Sequence, residues 1–218
     1  MSRRISGVSG PHAEATLVTT GAPVAAAEVA VVPVHGRGGT AEGIVRLADE
    51  FYRSGATLLA PGAVRSTWFP AAHEAPVSAN EPAPTSAADC VASAVDVARD
   101  AGVPRERVVL VGVSQGGAFV ASAALPGEGL DSCEAETVEG VERDGDGPLA
   151  GTLIALVSSE DDPYVPPDRV RATARVFERA GAVVNLRIDP GDGHGLSDAT
   201  MDRIGERIDA LLVRRRRP

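Results

Sequence analysis

Short runs of aliphatic and β-branched residues alternate along the chain with stretches whose apolar positions recur every three or four residues. The runs are Val29–Val34, Thr57–Ala60, Val108–Val113, Leu153–Val157 and Val183–Ile188. Continuous apolarity over such short lengths predicts strands buried on both faces, not the strict alternation of a half-exposed strand. Helical spacing follows each strand in turn. Ile44, Leu47, Ala48 and Phe51 share one face, with Gly55 as stop. Val91, Ala94, Val95 and Ala98 form a second stripe, entered through a capping box at Ser86-Ala87-Ala88-Asp89 and closed at Gly102. Val170, Ala174 and Phe177 form a third behind Pro167, ended by Gly181, and Met201, Ile204, Ile208 and Leu211 form the last. Behind Val108–Val113 the chain makes a Gly-x-Ser-x-Gly turn and passes into the helix-forming stretch 118–124.

Strands alternating with helices predict an α/β fold, a mostly parallel central sheet with right-handed crossovers and helices on both faces. In such sheets function gathers in the loops at the C-terminal strand ends. Those loops begin at His35, Ser114, Ser158 and Asp189. The remaining stretches carry less pattern. Residues 1–13 read as a loose tail. Thr16–Thr20 and Ala25–Glu28 read as an edge hairpin with Gly and Pro at its turn. Stretch 126–148 is rich in Gly and acid with no apolar period, which predicts a mobile surface insertion. One domain is expected over 14–213, followed by a basic tail over 214–218.

Composition narrows the function. The 218 residues carry a formal charge of -9, which argues against nucleic acid or an anionic membrane as partner. All 21 basic residues are Arg. Arg3-Arg4 is followed by no apolar core of an export signal, and no run reaches membrane-spanning length, so the expected compartment is the cytoplasm. Cys90 and Cys133 make neither a disulfide framework nor a metal spacing. The expectation is no metal, no cofactor, and a monomer or homodimer acting on a small molecule.

The chemistry centres on Ser114. Strand, tight turn and helix are the setting of a nucleophile elbow, in which strain lifts a serine oxygen above the sheet edge. A serine hydroxyl needs a neutral imidazole to take its proton, and that imidazole needs an acceptor on its far nitrogen. The chain supplies Ser114, Asp162 and His194 in the α/β-hydrolase order, each just after a predicted strand. His35 precedes the nucleophile, His12 lies in the tail and His73 in a Pro-rich loop. Asp162 competes with Glu160 and Asp161, and is preferred because it abuts Pro163, where the chain turns away from its strand. Asp189 and Asp192 are weaker rivals. Two donors for an oxyanion are expected: the N–H of Gln115, the residue after the nucleophile, and the N–H of Arg37 in His35-Gly36-Arg37-Gly38-Gly39.

These pieces resemble the phospholipase/carboxylesterase family of α/β-hydrolases, which includes the acyl-protein thioesterases, over roughly Val29 to Leu212. The matching residues are His35-Gly36-Arg37-Gly38, Ala60-Pro61, Trp68-Phe69-Pro70, Asn80-Glu81-Pro82, Gly112-Val113-Ser114-Gln115-Gly116-Gly117, Asp162-Pro163-Tyr164-Val165-Pro166 and Gly193-His194. The resemblance implies a serine carboxylesterase with catalytic Ser114, Asp162 and His194, backbone oxyanion donors at Arg37 and Gln115, and Trp68 and Phe69 beside the acyl pocket. Asn80-Glu81 is expected to shape a loop. Two departures stand out: the acidic stretch 126–148 where the family continues into another strand, and Ser158-Ser159 where relatives often carry His-Gly. With little apolar surface in 126–148 to form a lid or tunnel, short acyl chains are the expected substrates. The alternative is a non-catalytic small-molecule-binding protein on the same scaffold.

Overall fold

The computed structural model describes residues 1–71, 77–124, 149–150, 152–191 and 193–213. The expected insertion 126–148, the tail 214–218, His73 and Asp192 lie outside the described residues. The chain forms two compact units: residues 1–75, 79–123 and 201–218 in one, 76–78 and 124–200 in the other.

The first unit holds a five-stranded sheet of β1 (Ser2–Arg4), β2 (Thr16–Gly21), β3 (Val29–Val34), β4 (Ala56–Gly62) and β5 (Val108–Gly112), in the order β1-β2-β4-β3-β5. β4, β3 and β5 run parallel, with Val29 opposite Ala56 and Ala30 opposite Val108, while β2 runs antiparallel to both its neighbours, β1 and β4. β3 is buried at all six residues, as its unbroken apolar run requires. β5 ends the row of described strands and is less covered than expected, with Leu110 40% exposed. The crossovers include α1 (Ala41–Ala48), whose Thr40 cap accepts the Gly43 N–H at 3.0 Å, and α2 (Ala83–Asp100). α2 buries Ala87, Cys90, Val91, Ala94 and Ala98 against Val32, Val34, Leu59 and Trp68. α3 (Gln115–Ala124) follows β5.

Three expectations are corrected in this unit. Residues 1–13 are not a loose tail: β1 pairs with β2 (Arg3 opposite Leu17), Ile5 is in the core, and His12 is buried. Ser-Arg-Arg carries no apolar alternation because backbone pairing, not a buried face, holds it. No hairpin joins Thr16–Thr20 to Ala25–Glu28, since β2 lies between β1 and β4 and Val24–Ala26 is a single 3-10 turn. Ser86 does not cap α2. The helix starts at Ala83, with Pro84 in its first turn, where a missing N–H costs nothing. Ser86 is buried inside the helix, its hydroxyl accepting the His12 N–H at 3.0 Å and donating to the Ser9 carbonyl.

In the second unit β6 (Leu153–Ser159) and β7 (Val183–Asp189) pair in parallel, Leu153 opposite Val183, joined by α4 (Pro167–Arg179). α4 turns Val170, Ala174 and Phe177 inward, as the stripe predicted. The two strands are not fully buried: Leu153, Leu186 and Val183 are exposed. α5 (Asp198–Val213) ends the described chain; from Met201 onward it belongs to the first unit, within which its Asp209 pairs with Arg53 at 2.8 Å.

Candidate active site

Ser114 stands where β5 gives way to α3, exposed, with φ of 53°. An L-residue enters this left-handed region at a cost of about 1–2 kcal/mol, so the surroundings must over-determine it. They do so from both sides. The Val113 N–H donates to the Val34 carbonyl at 3.1 Å, and Gly116 and Ala118 donate back to the Val113 and Ser114 carbonyls at 2.9 and 3.1 Å. A Cβ on Gly112 would lie 2.5 Å from the Gly116 carbonyl oxygen and 2.6 Å from the Gly117 Cα; one on Gly116 would lie 2.5 Å from the His35 carbonyl oxygen. The two glycines of the motif are therefore present for close approach. Gln115 begins α3, so its N–H has no carbonyl within the helix to meet. Beside the elbow runs the loop after β3: a Cβ on Gly36 would sit 3.2 Å from the Ser114 Cβ.

Side chains around the elbow make contacts that the sequence did not disclose. Gln115 is buried; its carboxamide oxygen accepts the Trp68 N–H at 3.0 Å and its Nε2 donates to the Phe69 carbonyl at 2.9 Å. The Arg37 guanidinium donates to the Phe69 and Pro70 carbonyls at 3.0 and 3.2 Å and to Ala71 at 2.5 Å. Asn80 is buried, and its Oδ1 accepts the Ala71 N–H at 2.7 Å. Together they pin residues 67–71, the loop-shaping role expected of Asn80. His35 is buried, its Nε2 accepting the Ala63 N–H at 3.1 Å and its Nδ1 donating to the Gly36 carbonyl at 2.7 Å. Burial pushes its imidazole pKa down, more than the Gly36 carbonyl pushes it up. Such a ring is structural and neutral.

In the second unit the loop after β6 meets the loop after β7. Asp162 Oδ2 accepts the His194 Nδ1–H at 2.8 Å. Its Oδ1 accepts the N–H groups of Tyr164 and Val165 at 2.8 and 2.9 Å. The Asp162 side chain is 7% exposed and that of His194 26%. Burial pushes the Asp162 carboxyl up, but the bonds from His194, Val165 and Tyr164 outweigh it and hold the group below the usual carboxylate range. An ionised carboxylate can only accept, so Nδ1 carries the hydrogen, and in the neutral ring Nε2 is the acceptor. The Tyr164 ring meets the imidazole edge-on, centroids 4.9 Å apart. Asp161 does not reach His194; its Oδ1 accepts the Gly193 N–H at 3.0 Å.

Known structures resemble this architecture over most of their length. The chain is similar to a phospholipase/carboxylesterase from Dyadobacter fermentans, with 28% identity, a TM-score of 0.74, and coverage of 88% of this chain and 95% of that one. The chain has the α/β-hydrolase fold. Two further structures share its fold: the Bacillus cereus carboxylesterase (18% identity, TM-score 0.66, coverage 89% and 93%) and Zea mays acyl-protein thioesterase 2 (14%, 0.64, 90% and 98%). No protein-family model matches the chain, and no curated protein matches it.

One expectation carried by that family likeness is corrected. Trp68 offers no surface to a substrate: it is wholly buried, its indole N–H donating to the His35 carbonyl at 2.8 Å, its ring packed against the His35 and His12 rings. A lone Trp in a Pro-rich loop is core here because the loop folds over α2 and the end of β3. Phe69 is only half-buried. Among the described residues no group of three or more His, Cys, Asp or Glu side chains could hold a metal ion, and no described helix is long and apolar enough to cross a membrane.

Proposed function

We propose that this α/β-hydrolase is a serine carboxylesterase that cleaves short-chain carboxylic esters or thioesters through an acyl-enzyme. Ser114 is the nucleophile, His194 the general base and Asp162 its orienting partner. The observation that carries the reading is the left-handed Ser114 between two glycines that admit no Cβ. Packing alone gives no reason to hold a serine at that cost. The imidazole that Asp162 holds by Nδ1 supports the base, since in the neutral ring this tautomer makes Nε2 the acceptor.

In this reading Nε2 takes the Ser114 proton as Oγ attacks the acyl carbon, and the carbonyl oxygen becomes negative. The N–H groups of Gln115 and Arg37 receive that charge, each such donor being worth about 10²–10³ in rate. His194 then gives the proton to the leaving oxygen or sulfur, and the acyl–Ser114 ester remains. Water, deprotonated by the same nitrogen, attacks that ester and frees the acid and Ser114. The substrate is a small-molecule ester, and the site of action the cytoplasm.

The test is turnover of p-nitrophenyl acetate and butyrate by purified protein and by Ser114→Ala. The proposal expects hydrolysis that falls by several orders of magnitude in the variant, with an unchanged far-ultraviolet circular dichroism spectrum. Equal turnover by both proteins would refute it.

A further inference from the structure

His194 sits between two glycines in an exposed loop, a setting that does not by itself hold a ring in one orientation. The Asp162 bond fixes the Nδ1 edge of the imidazole, but not the backbone that carries it. That backbone is held one residue earlier. Asp161 Oδ1 accepts the Gly193 N–H at 3.0 Å, and the Ser159 hydroxyl contacts both the Gly193 carbonyl and the Asp161 carboxylate, the latter at 3.1 Å. Both polar groups of the Gly193 backbone are thus tied to the end of β6, which also carries Asp162. Gly193 accepts this in the left-handed region, at φ of 61°. The bonds from Gly193 and Ser159 hold the Asp161 carboxyl below the usual carboxylate range. The neighbouring carboxylates divide the work, one on the ring and one on its backbone.

We propose that Asp161 is a positioning residue: with Ser159 it clamps Gly193, so that the adjacent His194 keeps its imidazole in register with Asp162. The inference rests on the proposed role of His194 as general base. In this role Asp161 acts through the Gly193 backbone, to which its carboxylate is bonded. What the clamp needs is an acceptor for an N–H, not a negative charge, and an amide oxygen at the same place supplies it. Misplacement of a catalytic group by about 1 Å costs on the order of 100-fold in rate, which sets the scale of the effect.

The experiment compares wild type, Asp161→Ala, Asp161→Asn and Ser114→Ala in p-nitrophenyl butyrate hydrolysis, together with amide hydrogen exchange at Gly193 by NMR. Asp161→Ala should lower kcat by about 10- to 100-fold with KM within about twofold of wild type. Asp161→Asn should recover most of that loss. The Gly193 amide should exchange at least about tenfold faster in Asp161→Ala and stay protected in Asp161→Asn, because only the first loses the acceptor. The proposal is overturned if Asp161→Ala leaves kcat unchanged, if Asp161→Asn is as damaging as Asp161→Ala, or if only KM moves. Turnover that survives Ser114→Ala instead brings down the esterase reading, and the Gly193 exchange rates then decide the clamp by themselves.

Discussion

Replacing Ser114 by glycine should abolish turnover and make the protein more stable. The serine stands at φ of 53°, where a Cβ costs about 1–2 kcal/mol and glycine costs nothing. Glycine also widens the unfolded ensemble, which takes back about 0.5–1 kcal/mol. From the middle of these ranges the net gain is about 0.5–1 kcal/mol, provided the reference retains the Cβ. Ser114→Ala is that reference: it removes the hydroxyl but keeps the Cβ and the strained φ. For a chain of this length each kcal/mol moves Tm by roughly 2–4 °C, so Ser114→Gly should melt about 1–4 °C above Ser114→Ala. Scanning calorimetry of the two variants in one buffer, at several scan rates, measures the difference. A Tm for Ser114→Gly at or below that of Ser114→Ala would refute the argument that the elbow stores strain.

Three further outcomes follow from named contacts. Asp162→Asn should cut kcat by about 10³–10⁴ with little change in KM, because an amide no longer fixes the imidazole with its hydrogen on Nδ1; steady-state kinetics would show it. The first unit should lose stability on mild acidification. His35 is held neutral with its folded pKa lowered, so its contribution is complete above an unfolded pKa of about 6.5 and shrinks as pH falls below that towards the folded value. Urea midpoints should therefore be lower at pH 5.5 than at 7.5, with a flatter dependence in His35→Gln. Across p-nitrophenyl esters below their micelle concentrations, kcat/KM should peak between about two and six acyl carbons. A monotonic rise beyond octanoate would show that a buried acyl tunnel exists.

The parts of the fold that could be read from the chain are those where burial dictates residue type over several positions. β3 is apolar throughout because no residue of it meets water, and the stripes Val91–Ala98 and Val170–Phe177 face inward. The elbow was legible because close backbone approach leaves glycine as the residue that fits at 112 and 116. Elements held by backbone pairing or by single polar contacts left no such mark. β1 is Ser-Arg-Arg, and nothing in those residues points to β2. The start of α2 was misplaced because Ser86 matches a cap in type while its partners, Ser9 and His12, are remote in sequence. The same holds around the candidate site. The order of Ser114, Asp162 and His194 could be found, but not the division of labour between Asp161 and Asp162. Nor could the guanidinium of Arg37 be assigned to three successive carbonyls, since hydrogen bonds to backbone carry no signature in the acceptor's residue type.

The central claim is that Ser114 is a nucleophile. The direct measurement is mass spectrometry of the protein after brief exposure to a fluorophosphonate, with and without prior loss of Ser114 to alanine. The account predicts a single covalent adduct on Ser114, formed in step with loss of p-nitrophenyl butyrate hydrolysis, and no adduct in Ser114→Ala. An adduct on another residue, or full labelling of the alanine variant, would contradict it.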